Sequence, residues 1–224
     1  YPGPGVGGHC IPLDPQFLAW RAKEANFATR FIDLAEQVNS KMPNYTATRV
    51  ADLLNRHGLP VFGTKVLGVG IAYKPDVADD RESASIEVLH ELARRGAEVS
   101  VLDPVVGAAR IAEHGFLSVG PGDSLDGFAL AVVLTDHAVL DLKKVATEVP
   151  VVLDTRGAFR RAGIEADNVE RMAALHAAIP EVIVPDVVRA ASSQRVLTMD
   201  YVPGIPPDAA CSDQYDQPIK DLWG

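Results

Sequence analysis

The sequence predicts an α/β fold in which a long helical segment precedes a doubly wound parallel sheet. Between residues 15 and 57, apolar residues recur at intervals of three and four, as they do in an amphipathic helix. From residue 64 onwards, short apolar runs alternate with amphipathic stretches, which indicates parallel strands joined by helices. The chain of 224 residues is long enough for one or two domains with a buried core.

The helical segment is expected to be kinked or interrupted at Pro43, because proline cannot donate the hydrogen bond of a helix interior. The turn residues at 58–60 then end it. A helix this long must cover its apolar stripe, either within the core of the protein or against a second protein.

The second segment reads as strands at residues 66–71, 98–102, 129–134 and 151–153, with helices at 84–95 and 138–147. This alternation predicts a Rossmann-like sheet whose ligands lie beyond the carboxyl ends of the strands. We divide the chain into a loop and helical segment at 1–60, a sheet domain at 61–165 and a tail of uncertain structure at 166–224. Within the tail, residues 182–184 are a candidate edge strand.

Composition excludes several classes of function. Hydrophobic residues make up 47% and charged residues 23% of the chain, as in ordinary globular proteins, and the net charge of −9 argues against a nucleic-acid partner. There is no signal peptide, and no apolar run approaches the roughly 20 residues that span a membrane. With only two distant cysteines, a cytoplasmic location is expected. No metal site is expected, because the later histidines lack ligand spacing: His57, His90, His114, His137 and His176.

The first fifteen residues carry the strongest chemical signal. Four glycines in six residues lead to Cys10, which suggests a loop that needs positive φ or a close approach by a ligand, with a thiol at its end. Asp14 and Pro15 predict an N-cap and the first residue of a helix, so that Cys10 would lie just outside a helix N-terminus that favours a thiolate. Alternatively, Cys10 is a small buried hydrophobe and Asp14 only a cap.

Further candidate residues follow the predicted strands. Lys74 precedes a proline that stops a helix from continuing, so it suits a phosphate or a sugar hydroxyl at the sheet edge. Arg156 follows the last clear strand and is expected at the same edge. Asp103 ends the second strand, where an acid often meets a ribose, but an Asp-Pro turn explains it equally well. Arg81, beside two aspartates, belongs either to a ligand site or to a solvated charge cluster.

Several of these segments resemble the UDP-glucose/GDP-mannose (nucleotide-sugar) dehydrogenase family. The likeness rests on the cysteine loop at residues 3–15, on residues 20–24 and 29–32, and on the elements around Lys74, Arg81 and Arg156. The His9-Cys10-Ile11-Pro12 form is closest to the members that oxidise UDP-N-acetylglucosamine or UDP-N-acetylmannosamine, and it makes His9 a subfamily feature rather than the base.

The resemblance implies an NAD-dependent oxidation of the sugar's C6 alcohol to a carboxylate in two hydride transfers. Cys10 would form a thiohemiacetal and then a thioester, and Asp14 would take a proton from the hydrolytic water. Gly5, Gly7, Gly8, Lys74 and Arg156 would bind the UDP-sugar, and Arg81 would reach towards NAD. In the family, the helix over residues 15–57 builds a homodimer.

The same resemblance implies an NAD-binding domain ahead of residue 1, so the sequence looks like the C-terminal portion of a dehydrogenase that is inactive alone. Within it, residues 66–74 hold only two glycines of a dinucleotide fingerprint, which is a weak sign of NAD binding. The alternative function is a non-catalytic module that binds a UDP-sugar or dimerises. A cysteine acyl-transfer enzyme is a third possibility, without a His or Asn partner that the sequence identifies. The sequence does not decide which UDP-sugar is bound.

Overall fold

A computed structural model of the protein describes residues 3–171. Its helices are α1 (Cys10–Glu24), α2 (Arg30–Arg56), α3 (Ala84–Arg94), α4 (Ala108–Glu113), α5 (Leu142–Glu148) and α6 (Ala158–Arg161). Its strands are β1 (Lys65–Val69), β2 (Glu98–Leu102), β3 (Leu117–Ser118), β4 (Leu130–Val133), β5 (Val152–Asp154) and β6 (Val169–Arg171). The predicted strand at residues 182–184 lies outside the described residues.

The six strands form one parallel sheet in the order β3-β2-β1-β4-β5-β6. Chain order therefore reverses between β1 and β4, as in a doubly wound sheet, and this confirms the predicted fold class. Central strand β4 is buried along its whole length, which explains its continuous apolar run. Strand β6 extends the sheet beyond residue 165, where the sequence showed no clear strand.

Apolar side chains cover both faces of the sheet in two clusters. The first joins α2 and α3 to the sheet and includes Val50, Leu53, Leu89 and Leu92. The second lies on the other face, beneath α5 and α6, and includes Val145 and Phe159. The second half of α2 thus belongs to the core of the sheet domain.

The helical segment is broken at residues 25–29 and continues through Pro43, so of the two predicted effects of that proline, the interruption was wrong. Asn26 ends α1 with a φ of 56°. The N–H of Asn26 donates a hydrogen bond to the carbonyl of Lys23 at 3.0 Å, and the N–H of Phe27 donates one to the carbonyl of Ala22 at 2.9 Å. This pattern is a Schellman motif with asparagine in the left-handed position. Gly58 ends α2 in the same way, with a φ of 71°, as the sequence predicted.

Helix α5 begins at Leu142, four residues later than predicted. The carboxylate of Asp141 accepts a hydrogen bond from the N–H of Lys144 at 3.0 Å, so Asp141 is the N-cap. The preceding residues form the loop that connects β4 to α5, and this loop contributes to the carboxyl edge of the sheet.

Candidate functional site

The glycine loop lies against the segment that precedes α3. A Cβ atom on Gly7 would stand 2.2 Å from the carbonyl oxygen of Glu82, which leaves room for glycine alone. The N–H of Gly8 donates to the same carbonyl at 3.3 Å, and Gly8 has a φ of 91°. The predicted need for positive φ is therefore confirmed, and the group that closely approaches Gly7 is the backbone of Glu82.

Asn39 of α2 holds the middle of this loop with two hydrogen bonds. Its Oδ1 accepts from the N–H of Val6 at 2.7 Å, and its Nδ2 donates to the carbonyl of Val6 at 3.0 Å. One amide side chain thus satisfies both backbone groups of Val6, as a neighbouring strand would. Sequence reasoning missed this residue, because a polar residue on a helix face is ordinary and its partner lies 33 positions away.

Cys10 is the first residue of α1, and His9 occupies the N-cap position. The prediction that Asp14 caps this helix was therefore wrong: the glycines end at Gly8, and the chain turns helical directly after His9. Asp14 lies one turn further along, at the i+4 position, which places it on the same helix face as Cys10. Both residues are exposed, so Cys10 is not a buried hydrophobe, and a thiol and a carboxylate share one accessible surface.

Lys74 lies on an irregular turn beyond β1, where the sequence placed it. Its ammonium lies over the ring of Tyr73, with Nζ 5.5 Å from the ring centre. The same ring covers Gly8, where a Cβ atom would be 3.0 Å from the ring carbons. Lys74 is exposed and forms no ion pair with any residue that the structure describes.

Arg156 reaches the glycine loop from the far side, beyond β5. Its Nε donates to the carbonyl of Leu134 at 2.6 Å, and a Cβ atom on Gly3 would be 2.4 Å from its Nη1. Burial lowers the pKa of Arg156, nearby Asp136 opposes this effect, and Arg161 adds to it. The guanidinium nevertheless stays charged at neutral pH, because arginine keeps its proton in proteins. Within residues 3–171, no carboxylate forms an ion pair with it.

A cavity of about 850 Å³ is lined by Arg156, by the glycine loop and by the N-terminal halves of α1 and α2. Its walls are largely apolar: Ile11 comes from α1, and Phe31, Val38 and Met42 come from α2. The guanidinium of Arg156 therefore contributes a cation to the wall of this largely apolar cavity.

Arg81 is bound by its own loop. Its Nε and Nη2 donate to the two carboxylate oxygens of Asp79 at 2.9 and 2.7 Å, and these bonds hold the pKa of Asp79 well below its usual range. The side chain of Arg81 remains 61% exposed. The neighbouring Asp80 is buried and pairs with Arg110 and His114, whose hydrogen bonds outweigh the effect of burial and lower its pKa.

Asp103 does not face a ligand. Its Oδ1 accepts from the N–H groups of Val105 and Val106, both at 2.8 Å, and its Oδ2 accepts from the N–H of Ile71 at 2.7 Å. The same Oδ2 lies 3.1 Å from Nε2 of His137 and accepts a longer bond from the N–H of Ala72 at 3.4 Å. The carboxylate is buried and its acceptor sites are taken by the protein itself, so it is a turn residue and not the ribose contact that one interpretation of the sequence predicted.

Two negative findings limit the chemistry of residues 3–171. No three His, Cys, Asp or Glu side chains converge there in a way that would hold a metal ion. The helices in this part of the chain are too short or too polar to cross a membrane.

Comparison with known proteins identifies two domains of one family. The UDP binding domain of the UDP-glucose/GDP-mannose dehydrogenase family matches residues 67–161, and the central domain of that family matches residues 1–41. A model of an ABC1 atypical kinase-like domain also matches residues 132–218. Its described part coincides with β4 to β6 of the parallel sheet, and we derive no kinase function from it.

Individual relatives support the same assignment. UDP-N-acetyl-D-mannosamine dehydrogenase from Methanococcus maripaludis is 38% identical over 148 residues, which cover 64% of this chain and 31% of that protein. NDP-N-acetyl-D-galactosaminuronic acid dehydrogenase from Ralstonia nicotianae is 32% identical and covers 74% of this chain and 38% of that protein. The crystal structure of NDP-N-acetyl-D-galactosaminuronic acid dehydrogenase from Methanosarcina mazei Go1 matches with a TM-score of 0.60 and 29% identity, over 77% of this chain and 39% of that one.

The chain thus spans about a third of the length of the curated relatives it matches. The two family models together match more than half of its residues. The parallel sheet, the cysteine loop and these matches agree, and the chain belongs to the UDP-glucose/GDP-mannose dehydrogenase family.

Proposed function

We propose that this chain is the part of a UDP-sugar 6-dehydrogenase that binds the nucleotide sugar and carries the nucleophilic cysteine. One observation carries the proposal: the glycine loop that leads to Cys10 contacts both the Lys74 turn, through Tyr73, and Arg156. In this division, residues 1–60 supply the cysteine loop and the helices, and residues 61–165 supply the UDP-sugar domain.

Lys74 and Arg156 are the groups proposed to bind the pyrophosphate and the sugar. The protein carries a net charge of −9, so an anionic ligand needs a local excess of positive charge. Both residues are cations without an ion-pair partner among the described residues, and both flank the glycine loop. The backbone N–H groups of Gly5 and Gly7 are further candidate donors to the ligand, whereas the N–H of Gly8 already donates to the carbonyl of Glu82.

Cys10 is proposed as the nucleophile that adds to the aldehyde carbon of the oxidised sugar. Support comes from its exposure at the first turn of α1, which leaves the sulfur accessible at the end of the glycine loop. Asp14 is proposed to accept a proton from the water that later releases the carboxylate. Support comes from the i, i+4 spacing and from the exposure of both side chains.

NAD, the cofactor that the resemblance implies, does not fit the crevice of this sheet. A Cβ atom on Gly70 would be 2.1 Å from the carbonyl of Thr135, so the β1 turn is closed against the loop after β4. Asp103, in the position that often binds a ribose, bonds to the protein itself. We therefore assign no hydride step to the described residues. Exposed Arg81 remains a candidate contact to NAD that is held elsewhere.

The outer surface of α1 and α2 supports a homodimer through residues 15–57. Phe17, Trp20, Phe31, Leu34 and Val38 are 54–89% exposed there. Exposed apolar side chains that cluster in this way are typical of an interface. The same surface favours the alternative function, a module that binds a UDP-sugar or dimerises without redox activity.

Calorimetric titration of the chain with UDP tests the proposal. We expect binding, and we expect Lys74→Met and Arg156→Met each to weaken it by about tenfold, since a hydrogen bond to a charged group contributes roughly 1.5–3 kcal/mol. Lys143→Met is the matched control, because it removes a lysine from α5. Absence of binding by the wild-type chain, or equal losses in all three variants, would refute the proposal.

A further inference from the structure

A buried histidine joins the two loops that meet at the carboxyl edge between β1 and β4. His137 Nε2 lies 3.1 Å from Oδ2 of Asp103, and both side chains are fully buried. On the other side of the ring, Nδ1 lies 2.9 Å from the backbone nitrogen of Asp76. The carboxylate of Asp76 in turn accepts from the N–H of Ala138 at 2.8 Å.

These contacts fix the protonation of the ring. Hydrogen bonds from His137 and from three backbone N–H groups outweigh burial and lower the pKa of Asp103, so its carboxylate is an acceptor. Nε2 of His137 must then carry the proton, and Nδ1 has a free lone pair. That lone pair accepts the N–H of Asp76. Two hydrogen bonds therefore join the two segments, one in each direction: the N–H of Asp76 donates to His137, and the N–H of Ala138 donates to the carboxylate of Asp76.

Asp76 needs such support because its φ is 61°, a left-handed conformation that is unfavourable for a residue with a Cβ atom. Its loop is closed at the base by a bond from the N–H of Tyr73 to the carbonyl of Asp79 at 2.9 Å. Lys74 lies between these two attachments, two residues before Asp76. Its backbone is thus held from both sides.

We propose that His137 is a positioning residue for the UDP-sugar: by holding Asp76, it sets the course of residues 73–79 and so directs Lys74 towards the pyrophosphate. The inference rests on the proposed function, and it adds a residue that does not touch the ligand. Position Nδ1 of the ring carries this role. Position Nε2 ties the ring to Asp103 and supports the fold.

Two substitutions separate these roles. The amide of asparagine reproduces the Nδ1 side of an imidazole, and that of glutamine reproduces the Nε2 side. His137→Gln should keep the bond to Asp103 and lose the one to Asp76, and we expect it to weaken UDP binding by about tenfold, the effect of one hydrogen bond. His137→Asn should recover most of that affinity. Equal affinities of the two variants would overturn the proposal.

A second pair of variants avoids the buried position. Asp76 is exposed, so its substitution leaves the core intact. Asp76→Gly keeps the left-handed φ at no steric cost but loses the bond to Ala138, and we expect weaker UDP binding. Asp76→Asn retains an acceptor oxygen and a residue type that tolerates this conformation, so it should bind more tightly than the glycine variant. The reverse order would contradict the proposal.

Amide hydrogen exchange gives a measurement that needs no ligand. In His137→Gln, the amide of Asp76 should exchange at least tenfold faster, while the amides of β1 keep their wild-type rates. Unchanged exchange at Asp76 would refute the positioning role even if UDP binds. Conversely, faster exchange together with a wild-type chain that fails to bind UDP would refute the proposed function and leave the role of His137 in the loop standing.

Discussion

At the scale of residues, the contacts that organise the carboxyl edge join parts of the chain that are far apart in sequence. Asp103 lies 34 positions from His137, and Asp76 lies 61 positions from it. Periodicity could predict that all three residues follow strands. It could not show that their side chains meet, so the sequence left Asp103 with two interpretations and gave His137 no role.

Asp103 makes the free energy of unfolding depend on pH. Because its pKa is lowered in the folded state, its contribution decreases as the pH falls. The unfolded chain binds a proton near pH 4, above the pKa of the folded state, so the contribution of Asp103 is fully present above about pH 4. It is lost as pH falls through the folded-state pKa. Asp103→Asn should lower the free energy of unfolding at neutral pH by roughly 1.5–3 kcal/mol, because the amide weakens the hydrogen bonds that the buried carboxylate accepts, and should flatten the decline towards pH 2.

Denaturant unfolding between pH 7 and pH 2 measures this effect. Asp126→Asn is the matched control, since that aspartate is exposed and should leave the acid limb as steep as in wild type. Asp79, Asp80 and Glu91, whose pKa values are also lowered, contribute to the slope that remains. An acid limb of wild-type steepness in Asp103→Asn would show that the carboxylate does not act as described.

At the scale of elements, the strands could be predicted and the helix ends only in part. Buried strands leave continuous apolar runs, and the glycine at position 58 is a strong stop signal. Asn26 is a weak one, because asparagine occupies helices as well as left-handed turns, and so the break after α1 was missed. The proline at position 43 does not end α2, because packing of the buried C-terminal half of the helix stabilises it by more than one lost hydrogen bond costs.

The glycine loop gives the sharpest prediction for an element. Gly7→Ala would bring a Cβ atom to 2.2 Å from a backbone carbonyl, so the loop must move away from Glu82. We expect a loss of roughly 1–3 kcal/mol of stability and weaker UDP binding. Gly122→Ala serves as control, because no atom lies within 4 Å of the added methyl group. Thermal unfolding and UDP titration that do not distinguish the two variants would contradict the close approach.

At the scale of the whole molecule, the described residues form a sheet domain whose two faces are covered and a helical surface whose apolar side chains are exposed to solvent. The second half of α2 packs on the sheet, whereas α1 and the first half of α2 present large apolar side chains outwards. The sequence predicted that the long helix must be covered, and left open whether a core or a partner covers it. The core covers one half, and a partner remains the proposal for the other.

A single substitution tests that partner. Phe31 is 89% exposed, and Phe31→Ser should raise the dissociation constant of a homodimer by tenfold or more, since a buried aromatic side chain contributes about 1.5–3 kcal/mol. Val139→Ser is the control, because Val139 is 69% exposed on the loop before α5. Sedimentation velocity over a range of concentrations reads out the equilibrium. A wild-type chain that stays monomeric throughout would exclude the homodimer.

We propose that the nucleotide binds between the Lys74 turn and Arg156, and not in the crevice between β1 and β4. Titration of the ¹⁵N-labelled chain with UDP, followed by NMR, tests it most directly. We predict shift changes in residues 3–8 and 73–79 and in the side chain of Arg156, with residues 103–106 unaffected. Changes confined to residues 68–72 and 103–106 would place the nucleotide in the crevice and contradict the account.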